Sequence, residues 1–135
     1  MVECNICGWQ GDKFASTVWH LYSDCPRCRS GVRHRLLMAA LTMLPDVSID
    51  RFILNKKVLH FAPDIFISDL IREKALLYKT ADFSGSAATD YNTDISDMKG
   101  IDDSSFDCVI ACDVLEHVAD DIKAMNEILT AADKV

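Results

Sequence analysis

Four cysteines crowd into the first 28 residues as two pairs, "CNIC" (Cys4, Cys7) and "CPRC" (Cys25, Cys28), with seventeen residues between the pairs. No other feature restricts the fold as tightly. Two residues between cysteines let one tight turn aim both thiolates at one ion, and two such turns complete a tetrahedron. Gly8 and Pro26 suit those turns. The intervening "KFASTVWHLY" has the β-branched and aromatic content of a short hairpin. The expectation is a zinc ribbon over residues 1–32, with Cys4, Cys7, Cys25 and Cys28 holding Zn2+. A redox pair of the thioredoxin kind would need one CxxC after a strand in a βαβ unit, and nothing upstream supplies one. So short a segment cannot bury enough surface to fold on unliganded thiols. His20 and His34 are substitute ligands to weigh, but neither has knuckle spacing.

Charge divides the chain unevenly. Residues 1–35 carry five Lys/Arg against three acids, whereas the whole chain has a net charge of −7. An anionic partner would approach the N-terminal part. "RCRSGVRHR" (Arg27, Arg29, Arg33, His34, Arg35) reads either as a patch for phosphate or as a solvated loop leading into a helix. No run reaches the ~20 apolar residues of a membrane span, and "MVECNICGW" lacks the basic start and apolar core of a secretion signal. A cytoplasmic location is expected, with six cysteines used for metal or core packing rather than disulfides.

"VRHRLLMAALTML" places Leu36, Leu37, Ala40, Leu41 and Leu44 on one helical face, and Pro45 stops it. Residues 33–56 are read as this connecting helix and a linker from 45. From Lys57 the pattern alternates. "KVLHF" is a short strand, "PDIFISDLIREK" a helix opened by Pro63 with Ile67, Leu70 and Ile71 inward, and "ALLYKTAD" a second strand. "TDISDM" is a third extended piece. "FDCVIAC" is a fourth strand, apolar enough for burial on both faces. "DDIKAMNEILTAA" closes as a helix with Ile122, Met125, Ile128 and Leu129 on its face. The alternation implies an α/β domain over 57–135 with a parallel sheet. Ligands of such sheets bind beyond the carboxyl ends of the strands. His60 to Asp64, Asp82 and Asp113 fall at those ends. An acid at the second strand's end suits a ribose diol; Asp94 suits an adenine amino group.

These stretches resemble class I S-adenosylmethionine-dependent methyltransferases. More narrowly, they resemble a group with an N-terminal zinc ribbon and an "LHxAPE" first motif. "CPRCRSGVRHRLL" is similar to the ribbon's exit and "VLHFAPD" to the first motif. "YKTADF" is similar to the acidic second-strand end, "TDIS" to the adenine-side loop, and "FDCVIACDVLEHV" to the fourth strand. The resemblance implies a partial Rossmann-like methyltransferase sheet of order 3-2-1-4, later strands missing, because "LTAADKV" follows the "AMNEIL" helix. It implies that His60, Phe61, Ala62, Pro63 and Asp64 line the methionine end of S-adenosylmethionine. Asp82 would bind the ribose, Phe83 the adenine face, and Asp94 and Ile95 the adenine edge. Cys112 and Asp113 would lie near the sulfonium, with Asp113, Glu116 and His117 as the catalytic set. The first loop departs from the family: it lacks glycines, and Asp64 stands where the narrower group has Glu.

Several readings remain open. Asp113, Glu116 and His117 share a face if they begin a helix. They then form a divalent-metal cluster, an acid–base site through His117, or a cap that orders the loop. Cys108 and Cys112 also read as core thiols. The methyl acceptor is a small molecule, a glycan or ribosomal RNA, with RNA opposed by the acidic remainder. Alternatively, the chain is a non-catalytic zinc-ribbon and half-Rossmann module. In either case the apolar fourth strand at a sheet edge invites self-association or a partner protein.

Overall fold

The computed structural model describes residues 1–85 and 88–132. The chain forms two compact units, Met1–Arg51 and Phe52–Val135.

In the first unit, β1 (Val2–Glu3) pairs antiparallel with β2 (Gln10–Gly11) around the first cysteine pair. The hairpin is therefore not in "KFASTVWHLY", where a single bridge, Ala15 to Asp24, closes a loop. Side chains inside that loop compete for its amides. Thr17 Oγ1 accepts from the His20 and Trp19 amides at 2.9 and 3.3 Å, and Ser16 Oγ accepts from Tyr22 N at 3.1 Å. Such local bonds displace a strand ladder.

Helix α1 (Val32–Met43) buries Met38 and Leu41, while Leu36 is 68% exposed and Leu44 also lies outward. Arg35 sets this rotation. Its guanidinium stacks 3.9 Å from the Phe14 ring and donates to the carbonyls of Ser30 and Ser23, the latter at 2.7 Å. Asn5 Nδ2 donates to Arg35 O at 2.9 Å. Arg35 shares its face with the buried Met38 three residues on, and Leu36 falls outside that face. The segment from residue 45, expected as a linker, folds into a 3-10 turn (Pro45–Val47) and the short helix α2 (Ile49–Phe52).

The second unit is built on a parallel sheet. β3 (Lys57–Phe61) lies between β4 (Leu77–Asp82) and β6 (Cys108–Ala111), and β5 (Tyr91–Asn92) extends β4, giving the order β5-β4-β3-β6. That is third, second, first and fourth along this unit, as expected. β3 is paired on both sides and Val58 to Phe61 are all buried. Its alternate residues serve opposite faces. Leu59 and Phe61 join Ala81, Ile95, Met98, Phe106, Ala124 and Ala131 in one core. His60 faces helix α3 (Ile65–Lys74), which buries Ile67 and Ile71.

Three differences from the pattern have local causes. The third strand is Tyr91–Asn92 rather than "TDISDM", because the Asp94 carboxylate bends the chain back to an Asp94–Asp97 bridge. β6 is half-buried along its length rather than sequestered on both faces. Among the described residues β3 is its strand partner, and a parallel bridge from Phe106 to Ala132 lies just ahead of it. Helix α4 (Asp121–Ala131) buries Ala124 and Ala131 and packs Ile128 on the core, leaving Ile122, Met125 and Leu129 outward. Small alanines let the helix sit close to the sheet, so its inner face is not its most apolar one. No helix among the described residues is long and apolar enough to cross a membrane.

Candidate functional site

The carboxyl ends of β3, β4 and β6 and the turn after β5 surround one hollow of about 340 Å3. Phe61, Ala62, Asp82, Phe83, Asp94, Ile95, Asp113 and His117 line it, joined by Thr93, Ser96, Val114, Val118 and Ala119. The volume lies in the range of small-molecule pockets.

Two matching turns fix its acids. Asp82 Oδ1 accepts from the Ser84 amide and hydroxyl, both at 2.7 Å. Asp94 Oδ1 accepts from the Ser96 amide at 2.8 Å and hydroxyl at 2.7 Å. The Ser84 hydroxyl and then its amide hold Asp82 below the usual carboxylate range. The Ser96 amide and then its hydroxyl do the same for Asp94. Each carboxylate is thus ionised and oriented with its Oδ1 used internally. The repeated D-x-S spacing ("DFS", "DIS") is the sequence signal for both turns, and it points to Ser96 in the lining. Glu127 on α4 tethers the loop after β5, accepting from Met98 N at 2.9 Å.

The β3–α3 turn does without glycine at some strain. Ala62 has φ 46°, in the left-handed region, and Asp113 after β6 has φ 54°. Aspartate tolerates that region better than alanine does. Ala62→Gly should therefore stabilise the second unit by about 0.5–1 kcal/mol, the relieved strain exceeding the added chain entropy of glycine. A urea titration followed by circular dichroism would show a higher midpoint at unchanged slope.

His60, Pro63, Asp64, Cys112 and Glu116 do not line the hollow. His60 and Asp64 belong instead to a closed hydrogen-bonded ring beneath it. The Asp64 amide faces His60 Nε2 at 3.5 Å, and His60 Nδ1 lies 2.9 Å from the Tyr78 hydroxyl. Tyr78 donates to Ser68 Oγ at 3.1 Å, and Ser68 Oγ donates to Asp64 O at 2.7 Å. Read round the ring, these bonds place the imidazole proton on Nδ1. Asp64 Oδ1 also caps α3, accepting from Phe66 N at 2.8 Å. Burial lowers the His60 pKa to about 4 despite the nearby Asp64 charge. Cys112 is pushed up by burial, then by Asp113 and Asp64, so it is a thiol.

Asp113, Glu116 and His117 do not share a helical face. The chain forms a 3-10 turn at Leu115–His117, where residues three apart eclipse. Val114 and His117 thus face the hollow together, while Glu116 is exposed. That turn type is why Val114 and Val118 escaped a helical reading. Among the described residues, the one cluster with converging metal-ligating atoms is Cys4, Cys7, Cys25 and Cys28, all Sγ atoms within 4.8 Å of one another.

Residues 71–133 match a family model described as a methyltransferase domain. The match supports a methyltransferase function. It covers β4, β5, β6 and α4, and so Asp82, Asp94 and Asp113, while the β3–α3 turn and the cysteine cluster precede it. No curated protein and no solved structure was found to match the chain.

The cysteine geometry fits a tetrahedral ion. Cys4 and Cys28 Sγ are 3.8 Å apart, and Cys7 and Cys25 Sγ 3.6 Å; a zinc–sulfur length of about 2.3 Å gives tetrahedral edges of about 3.8 Å. Ser30 Oγ lies 3.5 Å from Cys4 Sγ and 3.2 Å from Cys28 Sγ. Burial alone would raise the Cys4 thiol, but the Ser30 hydroxyl and the Cys7 and Ile6 amides bring it down to about 6, whereas burial and then the neighbouring cysteine sulfurs push Cys7 up to about 11; the fit to an ion therefore rests on the sulfur geometry. Neither His20 nor His34 joins the cluster; the His34 ring nitrogen Nδ1 accepts from Gly31 N at 2.9 Å.

Proposed function

We propose that the chain is an S-adenosylmethionine-dependent methyltransferase, or the cofactor-binding part of one, with Zn2+ held by Cys4, Cys7, Cys25 and Cys28. The reading rests on one observation: Asp82, Asp94 and Asp113, from separate elements, border the same hollow at the carboxyl ends of a parallel sheet. Asp82 binds the ribose hydroxyls through Oδ2, since Ser84 engages Oδ1. The exposed Phe83 ring covers the adenine face, and Asp94 and Ile95 meet its edge. Phe61 and Ala62 contact the methionine end. The cofactor supplies an activated methyl group on a sulfonium. The protein's part is then positioning, with Asp113 and His117 facing the acceptor side and His117 available to take a proton. His60, Pro63, Asp64, Cys112 and Glu116 act through the loops that carry these groups. The acceptor is a small molecule, a glycan or RNA, and a cytoplasmic location suits the free cysteines.

Calorimetric titration with S-adenosylmethionine and with its demethylated product tests the reading. Saturable binding is expected, weakened at least about tenfold by Asp82→Ala through loss of charge-assisted bonds. Absence of binding at millimolar ligand would remove it.

Association is a second reading, favoured by the half-buried, apolar β6 edge. Pairing through it would make the protein self-associate or capture a partner strand. Light scattering should then give a mass above that of one chain, and a monomer at high concentration counts against it.

A further inference from the structure

The loop between Ala15 and Asp24 is closed by backbone bonds of 2.8 and 3.0 Å and ordered by Ser16 and Thr17, yet it turns its apolar side chains to solvent. Trp19 is 85% exposed and Leu21 80%. Beside them lies an open hollow of about 800 Å3 lined by Trp19, His20, Leu21, Asp24, Arg29 and Arg33 among others. Arg27 lies outside the hollow and donates to Cys7 O at 3.2 Å, and Arg35 is turned inward, which leaves Arg29 and Arg33 as the guanidinium groups beside the loop. The lining is locally basic, with Arg29 and Arg33 against the one carboxylate of Asp24. An ordered loop that presents a bare indole next to guanidinium groups has the makings of a stacking platform flanked by phosphate contacts.

We propose that this surface binds single-stranded RNA: a base stacks on Trp19, and Arg29, which lines the same hollow, meets the flanking phosphate. Asp24 favours RNA over DNA. Its carboxylate repels phosphate but accepts a hydrogen bond from a 2′-hydroxyl. The inference concerns the first unit and stands whether or not the hollow at Asp82 binds a nucleoside.

The test uses the full chain with its metal and a fluorescein-labelled oligouridine of roughly twelve nucleotides, read by anisotropy over a salt series. Binding should weaken with salt. Trp19→Ala should weaken it about tenfold and Trp19→Phe much less, because a ring remains. Arg29→Ala should reduce the log–log salt slope by about 0.7. Retained metal in each variant shows that the unit is folded. In a Trp9→Phe chain, where Trp19 is the sole indole, RNA should quench its emission directly. No anisotropy change at about 50 mM salt would overturn the proposal. Equal affinity for oligothymidine would overturn the assignment to RNA. Competition by a glutamate-rich peptide as effective as unlabelled RNA would show an acidic-protein site instead.

Discussion

Cys25→Ser is expected to remove bound zinc and unfold residues 1–51, leaving the second unit folded. The cause is the small size of that unit. Its paired strands are two residues long each, and its helix buries Met38 and Leu41. Apolar burial on that scale cannot offset the entropy of ordering some fifty residues. Zinc in small modules contributes apparent free energies of about 10–16 kcal/mol, so losing it exceeds any plausible reserve. Cys25 is buried beside Cys7 Sγ at 3.6 Å, and a serine oxygen there is a poorer ligand. Metal analysis should give one zinc per chain in the native protein and less than one in the variant. Both tryptophans, Trp9 and Trp19, lie in the first unit, so their fluorescence reports its unfolding separately. A variant with unchanged metal content and emission would refute the zinc assignment.

Acid should weaken the second unit before its carboxylates titrate. His60 is fully buried, with its pKa lowered from 6.5 to about 4. Between those values the unfolded chain binds a proton that the folded unit refuses. The contribution is complete above pH 6.5 and is lost as pH falls through that range towards 4. The gap corresponds to about 3 kcal/mol, a large share of a small unit's stability. Asp82 and Asp94, whose pKa values are lowered from 3.8, begin to lose their contributions only as pH falls to that ordinary value, and lose them fully below it. Urea midpoints from circular dichroism at pH 7, 5.5 and 4.5 should fall steeply, and His60→Gln should flatten the trend because no proton is then taken up. Tyr78→Phe breaks the same ring without removing the imidazole, so it should lower stability while keeping the pH dependence.

Much was legible where chemistry fixes spacing. Two C-x2-C pairs set the cysteine cluster, because short turns leave few ways to bring four thiolates together. Strand–helix alternation set the parallel sheet with right-handed crossovers, while its order was an expectation from the family resemblance. A parallel sheet puts Asp82 and Asp113 at strand carboxyl ends, and with Asp94 they border one hollow. Side-chain orientation was another matter. His60 and Asp64 stand in the first motif, yet the Tyr78–Ser68 ring turns them beneath the site. Tyr78 is eighteen residues from His60 and meets it only because β3 and β4 are adjacent. Likewise the apolar spacing of α4 permitted two faces, and close packing on the sheet selected the alanines. The sequence by itself determined that the strands run parallel and so which of their ends carry the acidic loops, because chain connectivity and handedness are local constraints. Only the tertiary structure decided which side chains at those ends face the hollow, because that depends on partners distant along the chain.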